Sequence, residues 1–550
     1  MTWKAENTQG NESGKIKWEL VKWTRGQGLD VGCGNYKPFG HFIGLDSGKD
    51  IQLFGHSFRP DLWISDAAKL DLFSSECMDF VFSSHLLEHI EPENVVKTLK
   101  EWFRVLKLDG YMILYLPEET LYPRVGEKHS NPDHKWNVSR ASLLAYMEKA
   151  GCWDLVDYQL RDGGTEYSLF AVFQKKRKGT HYSHMLPKPD VKRAAVVRYG
   201  AFGDLLQASS VFAGLKQQGY HVTLFCSPPA SDIVKNDPNI DEFYYQDVNQ
   251  VLNTELGQFW DYHKQKYDHW VNLSESVEGS LLTIPGRPVH TFPPKVRHQM
   301  LNQNYLEVQH ALAGVPHKPQ VRFYPTPEEV DWAKREKAKM GGFTIVWALS
   351  GSSVHKTWPW VDNVIAPMLL EFPDVNFVTM GGPACVLLEQ GWFKVKDGEP
   401  IKDAAGRRIM VDSRVKCTSG DWDIRKTLAF CQVADLVIGP ETGVLNSVAD
   451  FPMPKVVLLS HSTDENLTRD WENTHVIYSN VTECPGRGKN EAPACHQLHY
   501  DWSHCKRAKD AEGNDMGVSQ CQADIPLDHV IKVLWHAIKD AKGELQEMRA

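Results

Sequence analysis

Gly32 and Gly34 flank one cysteine directly after the apolar run "GLDV", and a second apolar run, "FIGLD", closes on Asp46. Glycines in a turn let backbone come close to a ligand where a Cβ would clash. A carboxylate ending the next strand can accept hydrogen bonds from both hydroxyls of a ribose. Asp66, ending "DLWISD", stands where a third strand would meet an adenine, or it caps the segment that follows. A dinucleotide site would need GxGxxG and an acid about twenty residues on. Here the third glycine is missing, Tyr36 stands two residues beyond Gly34, and Asp46 follows too soon for a crossover helix. A nucleoside-bearing ligand without a pyrophosphate fits this turn better.

A second set of chemistry-bearing residues begins at "VVRYGAFGDLLQASS", where Gly200 and Gly203 separate a strand from a helix expected to begin at Asp204. The start of a helix offers free N–H groups and positive potential to an anion. Asp204 has two readings, as helix N-cap or as a general base taking a proton from a sugar hydroxyl. Further on, Lys356 follows a serine-glycine turn and either binds a phosphate as a point charge or sits on the surface. Thr442 and Gly443 in "GPETG" start a helix, again a phosphate-shaped feature. No DxD motif stands at a strand end, so a diphosphate would be neutralised by helix ends and cations rather than by Mg²⁺.

Histidines and cysteines leave further alternatives open. In "SSHLLEHI" the i, i+3, i+4 spacing of His85, Glu88 and His89 could gather metal ligands on a helix, or be structural. His134, just before a later helix, either serves as general base facing an acceptor or is a satisfied structural histidine. Cys484, Cys495, Cys505 and Cys521 crowd one late segment without any Cys-x-x-Cys pair. They admit a tetrahedral Zn²⁺ site, disulfides or free buried thiols.

The elements that must position these residues follow from periodicity. "GLDV", "FIGLD", "DLWISD", "MDFVFSS" and "GYMILYLP" read as buried strands, and "PENVVKTLKEWFRVLK" and "SRASLLAYMEKAG" as helices. Ser139 caps the second helix and Gly151 stops it. Strand–helix alternation implies an α/β protein with mainly parallel, Rossmann-like sheets. A basic, proline-containing stretch around 177–192 reads as a linker, although a nucleic-acid patch remains open. Two further strand-turn-helix series, from Ala194 and from Phe343, would form halves facing across a cleft. The expected organisation is 1–176, linker 177–192, 193–335 and 336–550, the last with a Cys-rich insertion at 484–521.

The 550 residues exceed one ordinary core, and the formal charge of −9 argues against a dedicated nucleic-acid binder without excluding nucleic acid. No apolar signal core or run of about twenty apolar residues appears, so no membrane span is expected. Eleven cysteines in such a chain favour reduced thiols and a cytoplasmic location.

Taken in order, "LDVGCG", "IGLD", "SDAAKLDLFSSECMDFVFSSHLLEHI", "FRVLKLDGYMILYLP" and "HKWNVSRASLLAYMEKAGCWDLV" resemble class I S-adenosylmethionine-dependent methyltransferases over about 26–174. The resemblance implies Asp30, Gly32 and Gly34 around the methionine end, Asp46 on the ribose, Asp66 and Ala67 at the adenine, and Ser84 beside the methyl group. In that family Leu87, Glu88 and His89 are mostly structural. No tetrapeptide like NPPY follows the fourth strand and no Pro-Cys pair occurs, which points away from DNA methylation.

"RYGAFGD", "HKTWP" and "GPETGVLNSVA" resemble the heptosyltransferase-like family nine glycosyltransferases of GT-B fold over about 193–550. This implies Asp204 near the acceptor as candidate base, Lys356 on the donor phosphate or leaving group, and Thr442 and Gly443 at the diphosphate. It also implies inversion at the anomeric centre and a nucleotide-activated sugar, with an ADP-linked donor favoured. Glu441 stands where aspartate is usual and Asn446 where histidine is common, which leaves the donor sugar open. The expectation is a bifunctional methyl- and glycosyltransferase acting on a glycan or glycoconjugate. A nucleotide-sugar epimerase joined to a methyltransferase, and a binding or assembly protein with degenerate sites, are the alternatives.

Overall fold

A computed structural model describes residues 11–48, 60–186, 190–396, 399–403, 406, 408–479, 483–489 and 491–543. The chain divides into two compact units, Met1–Asp190 with Tyr244–Lys266, and Val191–Phe243 with Tyr267–Ala550.

The first unit is built on strands β1 (Gly28–Val31), β2 (Phe42–Asp46), β3 (Leu62–Trp63), β4 (Met78–Ser84), β5 (Leu106–Pro117), β6 (Trp153–Arg161), β7 (Ser168–Lys175) and β8 (Thr180–His181). They lie in the order β3-β2-β1-β4-β5-β7-β6-β8. Pairing is parallel from β3 through β5, and β7 runs antiparallel to both of its neighbours. The helix Pro92–Val105 begins with proline, whose missing N–H costs nothing at a first turn. It buries Val95, Leu99, Trp102 and Phe103 against the sheet, each contributing about 1.5–3 kcal/mol. The helix Arg140–Ala150 has Ser139 as N-cap and Gly151 as C-cap.

One expected strand is shortened, and two further segments take definite forms. "DLWISD" gives a strand only at Leu62–Trp63, and Asp66 lies in the turn beyond it. "SSHLLEHI" forms one 3-10 turn, Leu87–His89, instead of an α-helix, because His85 adopts φ 51° and breaks the path after β4. Part of the basic stretch after Gln174 is ordered as β8 and a 3-10 turn at Ser183–Met185, where Ser183 donates from N and Oγ to Asp154.

The segment 244–266 groups with the first unit for a readable reason. Its helix Leu256–Lys264 sets Phe259 against Trp18 with ring centroids 6.0 Å apart. Glu19 also accepts hydrogen bonds from Tyr262 and Lys266, both at 2.6 Å.

The second unit holds two larger sheets beside small two-stranded ones. In the first, β9 (Arg193–Val197), β10 (His221–Cys226), β11 (Glu242–Tyr245) and β12 (His269–Asn272) lie in the order β11-β10-β9-β12. The other begins with β13 (Phe343–Ala348) and β14 (Val375–Met380), followed by a small hairpin, β15 (Val395–Lys396) with β16 (Glu399–Pro400). It continues with β17 (Val415–Cys417), β18 (Leu436–Pro440), β19 (Lys455–Leu459) and β20 (Thr474–Tyr478). Its order is β17-β14-β13-β18-β19-β20, and every pairing is parallel. The protein is thus mixed α/β with largely parallel sheets. No helix among the described residues is long and apolar enough to cross a membrane.

Candidate functional sites

In an open parallel sheet, ligands bind outside the carboxyl ends of the strands where the strand order reverses. Each main sheet has such a point. It falls between β1 and β4 in the first unit, between β9 and β12, and between β13 and β18. The residues singled out in the sequence follow these strands.

Beyond β1, Gly32 and Gly34 adopt φ 79° and 56°. A Cβ on Gly32 would stand 2.9 Å from Leu86, whereas one on Gly34 would meet nothing within 4 Å. The Gly34 backbone therefore borders open space that a ligand can occupy. Asp46 ties the turn together, accepting from Gly34 N at 2.8 Å and from Gly48 N at 2.7 Å. Beneath the turn, the Asp30 carboxylate is fully buried and neither oxygen has a hydrogen-bond partner. Burial holds its pKa well above the usual range, with Asp46 and Asp61 adding to the effect against Lys37. Such an orphaned carboxylate fits a ligand carrying an ammonium group.

Asp66 accepts from Ala68 N at 2.8 Å and so caps its own turn, while the Ala67 carbonyl accepts from Trp102 Nε1 at 2.9 Å. At the end of β4, the Ser84 hydroxyl is buried without a partner.

His134 meets the His85–His89 segment. Lys135 N donates to the Glu88 carbonyl at 2.8 Å and Trp136 Nε1 to the Leu87 carbonyl at 3.1 Å, which clamps the two loops. Burial pushes Glu88 up to about 8 and pushes His134 down to about 4, the latter helped by His89.

In the second unit, a cleft of about 580 Å³ lies between its two sheets and is lined by Asp204, Lys356, Glu441, Thr442 and Gly443. The helix after β9 runs Phe202–Gln217 with Ala201 as N-cap, so Asp204 sits in the first turn and is not itself the cap. Its Oδ2 reaches back to accept from Ala201 N at 2.7 Å. Its Oδ1 lies 3.1 Å from Nη2 of Arg198, a guanidinium 1% exposed that also pairs with Glu278 at 2.7 Å. Burial and the neighbouring Asp204 raise the Glu278 pKa against the pull of Arg198.

Across the cleft, Glu441 Oε1 accepts from Ser460 N at 2.6 Å, Ser460 Oγ at 2.7 Å and His461 N at 2.9 Å. Burial opposes its ionisation, but His461, Lys356 and hydrogen bonding outweigh burial and hold it well below the carboxylate range. The second oxygen of Glu441 and the Thr442 hydroxyl are buried without partners. Burial lowers the Lys356 pKa, opposed by Glu441, Asp204 and Glu278. Asn446 donates from Nδ2 to the Thr442 carbonyl at 2.9 Å and braces this turn.

Sequence reasoning did not single out Arg198, Glu278 or His461. Arg198 stood inside "RYGAFGD", but Glu278 and His461 belong to no motif and join the site only through the fold.

The four late cysteines line one pocket with His499 and His504. All are free thiols. Burial, reinforced by the neighbouring thiols, pushes Cys521 up to about 11 and Cys505 up to about 12. Among the described residues, the group of metal-capable atoms all within 4.8 Å of one another is Glu88, His89 and His134. The cysteines share their pocket without closing to that distance.

Residues 29–114 match the family model described as "Methyltransferase domain". No curated protein matches the chain. Among solved structures, the chain is similar to E. coli ADP-heptose lps heptosyltransferase II, at 11% identity and TM-score 0.41, over 64% of this chain and 99% of that one. It is also similar to a glycosyl transferase family 9 protein from Veillonella parvula, at 13% identity and TM-score 0.38, over 52% and 85% of the two chains. A SAM dependent methyltransferase from Archaeoglobus fulgidus is similar at 20% identity and TM-score 0.24, over 31% and 97%.

Proposed function

We propose that the chain is a bifunctional transferase, combining S-adenosylmethionine-dependent methyl transfer in the first unit with inverting glycosyl transfer from a nucleotide sugar in the second. The acceptor is a glycan or glycoconjugate. The observation that carries the glycosyl half is the convergence of Asp204, Lys356 and Glu441–Gly443 on one cleft, from turns far apart in sequence.

In the first unit, Gly32 and Gly34 hold the turn open, Asp46 meets the ribose, Asp66 and Ala67 border the adenine, and Asp30 balances the methionine ammonium. The cofactor, when bound, supplies the methyl group. Ser84 lies beside that group at the end of β4, and His134 stands on the acceptor side.

In the second unit, Lys356 places positive charge on the donor diphosphate, with Thr442 and Gly443 supplying a hydroxyl and close backbone approach. Glu441 fixes the turn that presents them. Asp204, held by Arg198 and the Ala201 N–H, takes the proton of the acceptor hydroxyl as that oxygen attacks the anomeric carbon, and the anomeric C–O bond to phosphate breaks with its electrons leaving on the nucleoside diphosphate beside Lys356. An ADP-linked sugar is the proposed donor.

The four cysteines are read as a structural Zn²⁺ site, which requires the thiols to draw together from their common pocket. All eleven cysteines are free, which supports a reducing, cytoplasmic setting.

Thermal unfolding with S-adenosylhomocysteine, ADP, UDP, GDP and CMP tests the reading. A ligand at about a hundred times its dissociation constant adds about 2.7 kcal/mol. Stabilisation by the homocysteine product and by ADP is expected. Response to neither would overturn both assignments, and a response to UDP instead of ADP would replace the donor.

A further inference from the structure

Glu88, like Asp30, is a carboxylate of the first unit that is costly to leave as it stands. It is 0% exposed, and both carboxylate oxygens lack a hydrogen-bond partner. Around Oε1 stand three imidazoles, with His85 Nδ1 at 3.5 Å, His134 Nε2 at 3.8 Å and His89 Nε2 at 4.0 Å. The His89 and His134 rings are nearly perpendicular with centroids 4.8 Å apart. His85 is held differently, because its Nε2 meets Ser168 Oγ at 3.0 Å.

We propose that Glu88, His89 and His134 bind one divalent transition-metal ion, with His85 as a supporting neighbour and the remaining coordination positions open to an acceptor hydroxyl. Ligand atoms bound at about 2.1 Å to a tetrahedral centre stand about 3.4 Å apart. Donor atoms already within 4.8 Å of one another can reach that spacing by small side-chain rotations. Two imidazoles and a carboxylate suit zinc, iron(II) or manganese better than magnesium or a thiolate-seeking ion. The ion would neutralise a buried carboxylate that nothing else in its surroundings satisfies.

Position gives the ion a use. It follows the carboxyl end of β4, four residues beyond Ser84, at the reversal point of the sheet. A Lewis acid there lowers the pKa of a bound hydroxyl. The substrate class of the first unit is therefore a hydroxyl-bearing acceptor: with His134 as ligand, the hydroxyl loses its proton to solvent, its oxygen takes the methyl group, and the electrons of the broken C–S bond stay on the sulfur of S-adenosylhomocysteine. This role in transfer rests on the methyltransferase reading above, whereas the metal site itself does not.

Titration of the full chain with Co²⁺, followed by visible absorption, tests the site. Two equivalents are expected, one giving thiolate-to-cobalt charge transfer at the four late cysteines and one giving ligand-field bands without it. Glu88→Gln and His134→Ala should abolish those bands, and the half-exposed His89→Ala should do so where either of the first two fails to fold. His85→Ala should retain them. Absence of the bands, or their survival in His89→Ala and His134→Ala, would overturn the site. Binding of S-adenosylhomocysteine, measured on the same samples, separates the two claims. S-adenosylhomocysteine binding without cobalt defeats the metal site alone, and cobalt binding without S-adenosylhomocysteine leaves the site but removes its role in methyl transfer. If both bind, retention of methyl transfer to a hydroxyl acceptor after chelation would overturn the Lewis-acid role.

Discussion

Gly200 has φ 135°, and a Cβ placed on it would stand 2.6 Å from Oδ2 of Asp204. The glycine therefore gives the carboxylate room to fold back over the N-cap while its other oxygen meets Arg198. Gly200→Ala should displace Asp204 and lower glycosyl transfer about a hundredfold. Nucleotide affinity, measured by calorimetry, should change little, because Lys356 and Thr442 lie on the opposite sheet. Unchanged transfer would remove Asp204 from the reaction.

Arg198 pairs with two carboxylates, Asp204 and Glu278. Removing one partner of a buried ion pair costs about 3–5 kcal/mol. Arg198→Met should cost an amount of that order in urea unfolding, and Glu278→Gln added to it should restore part of the loss. Strict additivity of the two changes would show that the groups are uncoupled.

Asp237 is 4% exposed and accepts from both nitrogens of Asn239 at 2.9 Å. Burial pushes its pKa up to about 6 against the hydrogen bonds from Asn239. An acid raised in the folded state binds more protons there than in the unfolded chain, so its contribution falls as pH rises from about 4 to 6 and then stays level. The loss is about 2–3 kcal/mol. Asp237→Asn keeps the acceptor for the Asn239 N–H, so its stability relative to the parent should climb across that window and plateau above it. Urea midpoints measured from pH 4 to 8 would show this, and a difference independent of pH would refute it.

Gly34 borders open space, yet its φ of 56° disfavours other residues. Gly34→Ala should cost about 1–2 kcal/mol in folding. Its methyl group would enter the space assigned to the cofactor, so S-adenosylhomocysteine should bind at least about tenfold more weakly, equivalent to about 1.4 kcal/mol. Equal affinity would place the ligand elsewhere.

Local signals carried much of the fold. Pro92 and the apolar spacing from Val95 to Phe103 marked one helix, and Ser139 with Gly151 bounded another. The same signals left "SSHLLEHI" open, because nothing in its spacing announced the left-handed turn at His85. "DLWISD" looked like a full strand, although only Leu62 and Trp63 pair with β2.

By itself, then, the sequence determined the turns. Glycines at 32, 34 and 200, next to apolar strands, are local choices, since φ is decided within a few residues. The tertiary structure alone decided which turns meet. Glu278 joins Arg198 and Asp204 because β12 pairs beside β9, and His461 reaches Glu441 because β19 pairs beside β18. His134 meets Glu88 because two loops are clamped across a gap of 46 residues. Strand order and loop closure are properties of the whole chain, and no single window of sequence contains them.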